Sequence, residues 1–159
     1  MISVMVKELA IDQSLSPVVL LVDESEQRVL PIWVGPFEAQ AIAMALQGIT
    51  MPRPMTHDLI KSLCDHLGVS VRSVIINDIK DGAYFAEIYL QTPSGEVIVD
   101  SRPSDAIALA LRTNAIIYIS EKVAGYTISI SELIDASQQV ELQKILGLCG
   151  PDDYKKSLH

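Results

Sequence analysis

The apolar positions of this chain change period several times, and each change marks an element. Ile2, Val4 and Val6 alternate with other residues, the two-residue period of a half-buried strand. The apolar phase then moves to Leu9 and Ile11, so the pattern predicts one strand with a bulge near Lys7-Glu8. Two more strands are predicted at Val18 to Val22 and Arg28 to Val34, joined by the polar turn Asp23-Glu24-Ser25-Glu26-Gln27. Val34-Gly35-Pro36 stops the second of these. Pro36 suits the first turn of a helix that runs through Glu38 to about Gln47 and is closed by Gly48. This helix carries Ala39, Ala41, Ala43 and Ala45 among Ile42, Met44 and Leu46. It is apolar nearly all round, which predicts burial, and its small residues admit a close neighbour.

Helical spacing returns after Met51-Pro52-Arg53-Pro54. Thr56 is read as the N-cap of a helix ending near Gly68, with Leu59, Ile60, Leu63, Cys64 and Leu67 on its apolar side. Alternation then predicts strands at Val69 to Ile79, Tyr84 to Gln91 and Glu96 to Asp100. Asp81-Gly82 is a hairpin signal, because the tight turn needs positive φ at both positions. A helix from Pro103 to Arg112, a short strand from Ala115 to Ile119 and a helical turn over 121–126 follow. A last helix is expected over Val140 to Leu146, and a polar tail from Pro151 to His159. The order predicts a single α+β domain over 1–135, a mixed, largely antiparallel sheet with helices packed on it, and a C-terminal helix and tail over 136–159.

Composition narrows the function. The chain has 159 residues, 49% of them hydrophobic, enough for a full core. Its formal net charge of −8 counts against a non-specific electrostatic grip on nucleic acid. A bound divalent metal or a local arginine cluster can offset that field. Cys64 and Cys149 lie far apart and suggest neither a disulfide framework nor a zinc site, so a cytoplasmic home is expected. Met1 to Glu8 lacks a basic region followed by an apolar run, and Pro17 to Val22 is too short to span a bilayer. Neither a signal peptide nor a membrane partner is expected.

Candidate chemistry gathers at two helix entrances. Asp100 ends a strand and Asp105 opens a helix, with Arg102 between them. Paired carboxylates hold Mg²⁺ or Mn²⁺, and a guanidinium binds phosphate in a fork. The other entrance carries Arg53, His57 and Asp58. Histidine exchanges protons readily near neutral pH, and Asp58 can orient it or ligate a metal. Glu38, at the start of the alanine-rich helix, is a further metal-ligand candidate. Against each assignment stands a structural role: an acid in the first helical turn caps free amides and meets the helix dipole. Glu87 shares a strand face with Phe85 and Tyr89 and is read as part of an open sheet face. Trp33 is read as core or interface. No glycine-rich phosphate loop, nucleophile elbow or Cys-x-x-Cys is present.

The runs Val29-Leu30-Pro31-Ile32-Trp33-Val34-Gly35, Glu38-Ala39, Arg53-Pro54-Met55-Thr56-His57-Asp58-Leu59 and Asp100-Ser101-Arg102-Pro103-Ser104-Asp105-Ala106-Ile107-Ala108-Leu109-Ala110 resemble the signature of the bifunctional nuclease domain family. The resemblance covers roughly residues 1 to 135 and implies a small cytosolic α+β domain. It also implies a homodimer or higher homo-oligomer and cleavage of RNA and DNA. Residue chemistry then supplies the roles: Asp100, Asp105 and Glu38 as metal ligands, Arg53 and Arg102 as phosphate anchors, and His57 with Asp58 for proton transfer. The competing expectation is a non-catalytic acidic oligomeric interaction or ligand-sensing module, in which the same charges pair internally. Whether the acids converge on an open cleft separates the two.

Overall fold

The computed structural model describes residues 1–133. The expected helix over Val140 to Leu146, the polar tail and the boundary at 135 lie outside the described residues. Three strands come first: β1 (Ile2–Ile11), β2 (Pro17–Asp23) and β3 (Arg28–Trp33). Helices α1 (Pro36–Leu46) and α2 (Thr56–His66) follow, then a second set of strands, β4 (Ser70–Lys80), β5 (Ala83–Thr92) and β6 (Gly95–Ser101). The described chain closes with α3 (Pro103–Thr113), β7 (Ile116–Ile119), α4 (Glu121–Ala124), β8 (Ile128–Ser129) and α5 (Ile130–Leu133). All eight strands form one sheet in the order β6-β5-β4-β7-β1-β2-β3-β8. Every neighbouring pair is antiparallel except β4 and β7, so the fold is the mixed α+β sheet expected.

Local rules explain most of the frame. The β1–β2 register slips between Val6 and Glu8, where the apolar phase flips. Asp81 (φ 50°) and Gly82 (φ 77°) make the hairpin turn between β4 and β5. Asn114 ends α3 in the left-handed region (φ 55°), a conformation asparagine tolerates better than most residues. α3 is buried along most of its length, and Ala106, Ala108 and Ala110 let it lie close to the sheet and to α1. Val74, Ile76, Ala86, Ile117 and Ile119 of the central strands meet it from below. This core fixes the N-terminal end of α3, where the site lies.

Four readings are corrected or narrowed. Thr56 is the first helical residue of α2 and Met55 the N-cap, because Asp58 reaches back to accept the Met55 N–H at 3.1 Å. α1 is buried on one side only: Ala39, Ile42, Ala43 and Met44 face the core while Phe37 and Leu46 are exposed. Trp33 is not a core residue. It is 57% exposed, and its indole N–H donates to Asp12 at 3.0 Å. The apolar stripe of α2 is uncovered as well, with Leu59, Leu63 and Leu67 each more than half exposed, and His57 is the buried residue of that helix. Glu87 accepts from the Tyr89 hydroxyl at 3.0 Å on a partly exposed face, as read from the alternation.

Candidate active site

Three helices present their N-termini to one another, and each carries a carboxylate at its third residue: Glu38 in α1, Asp58 in α2 and Asp105 in α3. An acid at this position stabilises the first turn, where amides lack partners. In this chain the same carboxylates also take part in contacts between helices, so capping and site-building coincide.

Arg102, the N-cap residue of α3, is the centre of the cluster. Its Nε donates to Asp105 Oδ2 at 2.8 Å and its Nη2 to Asp105 Oδ1 at 3.1 Å. Its Nη1 donates to Glu38 Oε1 at 2.9 Å. Asp105 Oδ1 also lies 3.0 Å from His57 Nε2. An ionised carboxylate only accepts, so His57 Nε2 carries the proton of that bond, which leaves Nδ1 as the unprotonated nitrogen of the neutral ring. The two helix entrances singled out by the sequence therefore meet, through His57, Asp105 and Arg102.

The charges reinforce one another. Burial is the largest influence on Asp105 and raises its pKa. Hydrogen bonds from Arg102 and His57, with the Arg102 charge, outweigh it and hold the carboxyl below the ordinary 3.8. Glu38 is lowered first by its own backbone N–H and then by Arg102, against burial and the Asp105 charge. Arg102 is held protonated more firmly than a free guanidinium, first by Asp105 and then by Glu38. Its side chain is nonetheless 62% exposed. Three donor contacts to carboxylates leave guanidinium N–H capacity facing solvent.

Gly35, the N-cap of α1, makes the Glu38 contact possible. A Cβ on Gly35 would stand 2.2 Å from Glu38 Oε2 and 3.0 Å from its Cδ. The carboxylate folds back over the bare backbone and from there reaches Arg102. The Val34-Gly35-Pro36 run signals a strand end, and this second use of its glycine is a feature the linear pattern does not carry.

Other predicted site residues fall elsewhere. Asp58 turns to Arg112, whose Nε donates to Asp58 Oδ1 at 2.9 Å. Asp100 is exposed on β6 and borders the same hollow as His57 and Arg102, with no side-chain partner among the described residues. Arg53 is exposed in the loop before α2 and joins none of these contacts. The expected ligands Glu38 and Asp105 are engaged by Arg102, while Asp100 borders a hollow that Asp105 shares and Glu38 does not. Among the described residues no set of three or more His, Cys, Asp or Glu gathers in a way that could hold a metal ion. The donor set as arranged does not suit a resident divalent ion.

The cluster opens onto clefts. One of about 300 Å³ is bordered by Phe37, Met44, Met55, His57, Arg102 and Asp105. A second of about 620 Å³ shares His57, Arg102 and Asp105 and is walled by Ile60, Ile88, Leu90 and Val99. A third of about 350 Å³ brings Trp33 and Tyr84 to the Glu38 side of Arg102. One exposed guanidinium thus borders three hollows, with a buried imidazole on two of them.

Comparison with known proteins gives the family of the chain. The family model described as the bifunctional nuclease domain matches residues 18–130, which include every residue of the cluster. The chain belongs to the bifunctional nuclease domain family. An uncharacterised protein of Mycobacterium tuberculosis is 40% identical over 148 residues, covering 87% of this chain and 88% of its own. Bifunctional nuclease 1 of Oryza sativa subsp. indica is 30% identical over 110 residues, 67% of this chain and 33% of the plant protein. Bifunctional nuclease 2 of Arabidopsis thaliana is 31% identical over 112 residues, 69% of this chain and 34% of its own. This family member therefore corresponds to about a third of each of these plant proteins. No helix among its described residues is long and apolar enough to cross a membrane.

Proposed function

We propose that this protein is a nuclease that hydrolyses phosphodiester bonds of RNA or DNA at the Arg102–Asp105–His57 cluster. The observation that carries the reading is an exposed guanidinium beside a histidine–aspartate pair at the junction of open clefts, in a chain of the bifunctional nuclease domain family. The remaining N–H groups of Arg102 donate to a non-bridging phosphate oxygen and hold it against the developing negative charge. His57, oriented by Asp105 through Nε2, accepts the proton of an attacking water at Nδ1. The new bond forms between the water oxygen and phosphorus, the bond to the leaving oxygen breaks, and that oxygen takes a proton from solvent. Glu38 keeps Arg102 in place rather than reacting.

No step passes through a metal, since Glu38 and Asp105 already direct their oxygens to Arg102 and His57. The Mg²⁺ or Mn²⁺ expectation then gives a direct contrast. The test is a cleavage assay on highly purified wild type and His57→Gln, each with and without a chelator. The expected result is cleavage that survives chelation and falls on the order of 100-fold in the variant. Equal cleavage by both proteins would expose a contaminating enzyme and overturn the assignment. Loss on chelation, restored by Mg²⁺ or Mn²⁺, would return the carboxylates to the role of ligands.

The competing view, an acidic module without catalysis, draws on one specific observation. Asp58, Asp105 and Glu38 each have an arginine partner within the chain. It predicts that Arg102→Ala alters stability or assembly and leaves no cleavage to lose.

A further inference from the structure

We infer that the substrate of this site is an unpaired polynucleotide strand, held with its backbone at Arg102 and a base against the ring of Phe37. The inference rests on the phosphodiester reading above and specifies what enters the clefts. Phe37 is 80% exposed, although it immediately precedes Glu38, which is tied to Arg102 at 2.9 Å. It borders the same cleft as Arg102 and His57, with Met44 and Met55 as further apolar wall. A bare phenyl ring next to an open guanidinium matches the repeating pattern of a single strand, in which each charged phosphate is followed by a base with an uncovered apolar face.

The second cleft supports the same occupant. It shares the polar node and offers aliphatic walls from Ile60, Ile88, Leu90 and Val99. Bases in a duplex stay stacked and paired, so a duplex would offer this node phosphates, sugars and base edges but no base face to fill the apolar walls. Charge argues in the same direction. A duplex carries one negative charge per ~1.7 Å of axis, twice the density of one strand, and is gripped by basic surfaces. Here the net charge is −8, and the one arginine of the cluster faces two carboxylates. Binding that draws on base contact rather than on phosphate neutralisation suits such a surface.

The experiment uses the full chain and short fluorescent oligonucleotides: single-stranded DNA, single-stranded RNA, and the DNA annealed to its complement. Anisotropy reads binding, gel analysis reads cleavage, and sedimentation is recorded for each protein. The expected result is at least about tenfold tighter binding of a single strand, of either sugar, than of the duplex. Phe37→Ala loses about tenfold in single-strand affinity and Phe37→Trp retains it, with sedimentation unchanged. Equal binding of duplex and single strand overturns the proposal. So does an unaltered affinity in Phe37→Ala, or a change in its sedimentation that assigns the ring to self-association. A strand bound through Phe37 and left intact would sink the hydrolytic reading and uphold this one. Equal cleavage of duplex and single strand would do the reverse.

Discussion

Arg102 and Arg112 stand at opposite ends of α3, and each ties that helix to the entrance of a neighbour. Arg112 is sealed: its side chain is 8% exposed, and its three nitrogens reach Asp58 at 2.9 Å, the Ala108 carbonyl at 2.8 Å and the Ala41 carbonyl at 2.9 Å. One guanidinium therefore joins three helices, and little of it is left for a ligand. Arg102 makes as many contacts, all to carboxylates, and stays 62% exposed. The same type of ion pair is a rivet in one place and a site in the other. Access to solvent, rather than the number of bonds, separates the two roles.

That contrast can be broken most forcefully at the sealed end. Arg112→Ala removes the three contacts that join α1, α2 and α3, although Asp58 keeps the Met55 N–H, and is expected to cost about 2–3 kcal/mol of unfolding free energy, read by denaturant titration. A loss within experimental scatter would show that the rivet holds nothing. At the open end the balance reverses. Arg102→Ala is expected to change stability by only about 1 kcal/mol, because solvent screens a pair this exposed. Cleavage should fall on the order of 100-fold, and Arg102→Lys, which lacks the planar fork, should recover little of it. If the two substitutions damaged stability equally, the contrast between sealed rivet and open site would fail.

A smaller effect lies in acid. The folded-state carboxyl of Asp105 titrates below its ordinary 3.8, so its contribution is present above that value and is lost as the pH falls through the lowered one. Stability should therefore drop on acidification below about pH 4, and Arg102→Ala should flatten that limb of the curve by letting the carboxyl return upward. A limb of unchanged steepness in the variant would remove Asp105 from the account. The smallest effect concerns Gly35. Gly35→Ala, which puts a poorer N-cap on α1, should cost less than about 1 kcal/mol while displacing the Glu38 carboxylate. Its titration, followed by NMR, should move up toward 4.5. In that background Glu38→Gln should add nothing further to any loss of cleavage, the mark of two residues acting as one unit.

Much of the frame is legible in the linear pattern. Alternation locates the strands, the phase flip at Lys7-Glu8 locates the bulge, and Asp81-Gly82 locates the hairpin, because each depends on neighbours close in sequence. Arg102, Asp105 and His57 are legible for the same reason: they sit at helix entrances with recognisable punctuation. Arg112 is not. It lies in the last turn of a helix where a cation suits the dipole, and its partners are 54 and 71 residues away. The available signal was the recurrence of an acid two residues after Pro36, Thr56 and Pro103, which marks three entrances and asks which cations answer them. Periodicity also misleads over α2. It identifies an apolar stripe correctly and says nothing of whether another surface covers it, and in this chain Leu59, Leu63 and Leu67 remain bare.

β7 has a consequence for how the site comes into being. Its four residues lie between β4 and β1, fastening the strand set that precedes α1 to the set that follows α2. Glu38 travels with the first set, and Asp105 sits on the helix that leads from the second into β7. A nascent chain halted before Ile116 would possess each side chain of the cluster and lack the stitch that draws them together, so site assembly waits for some of the most distant pairings in the sheet.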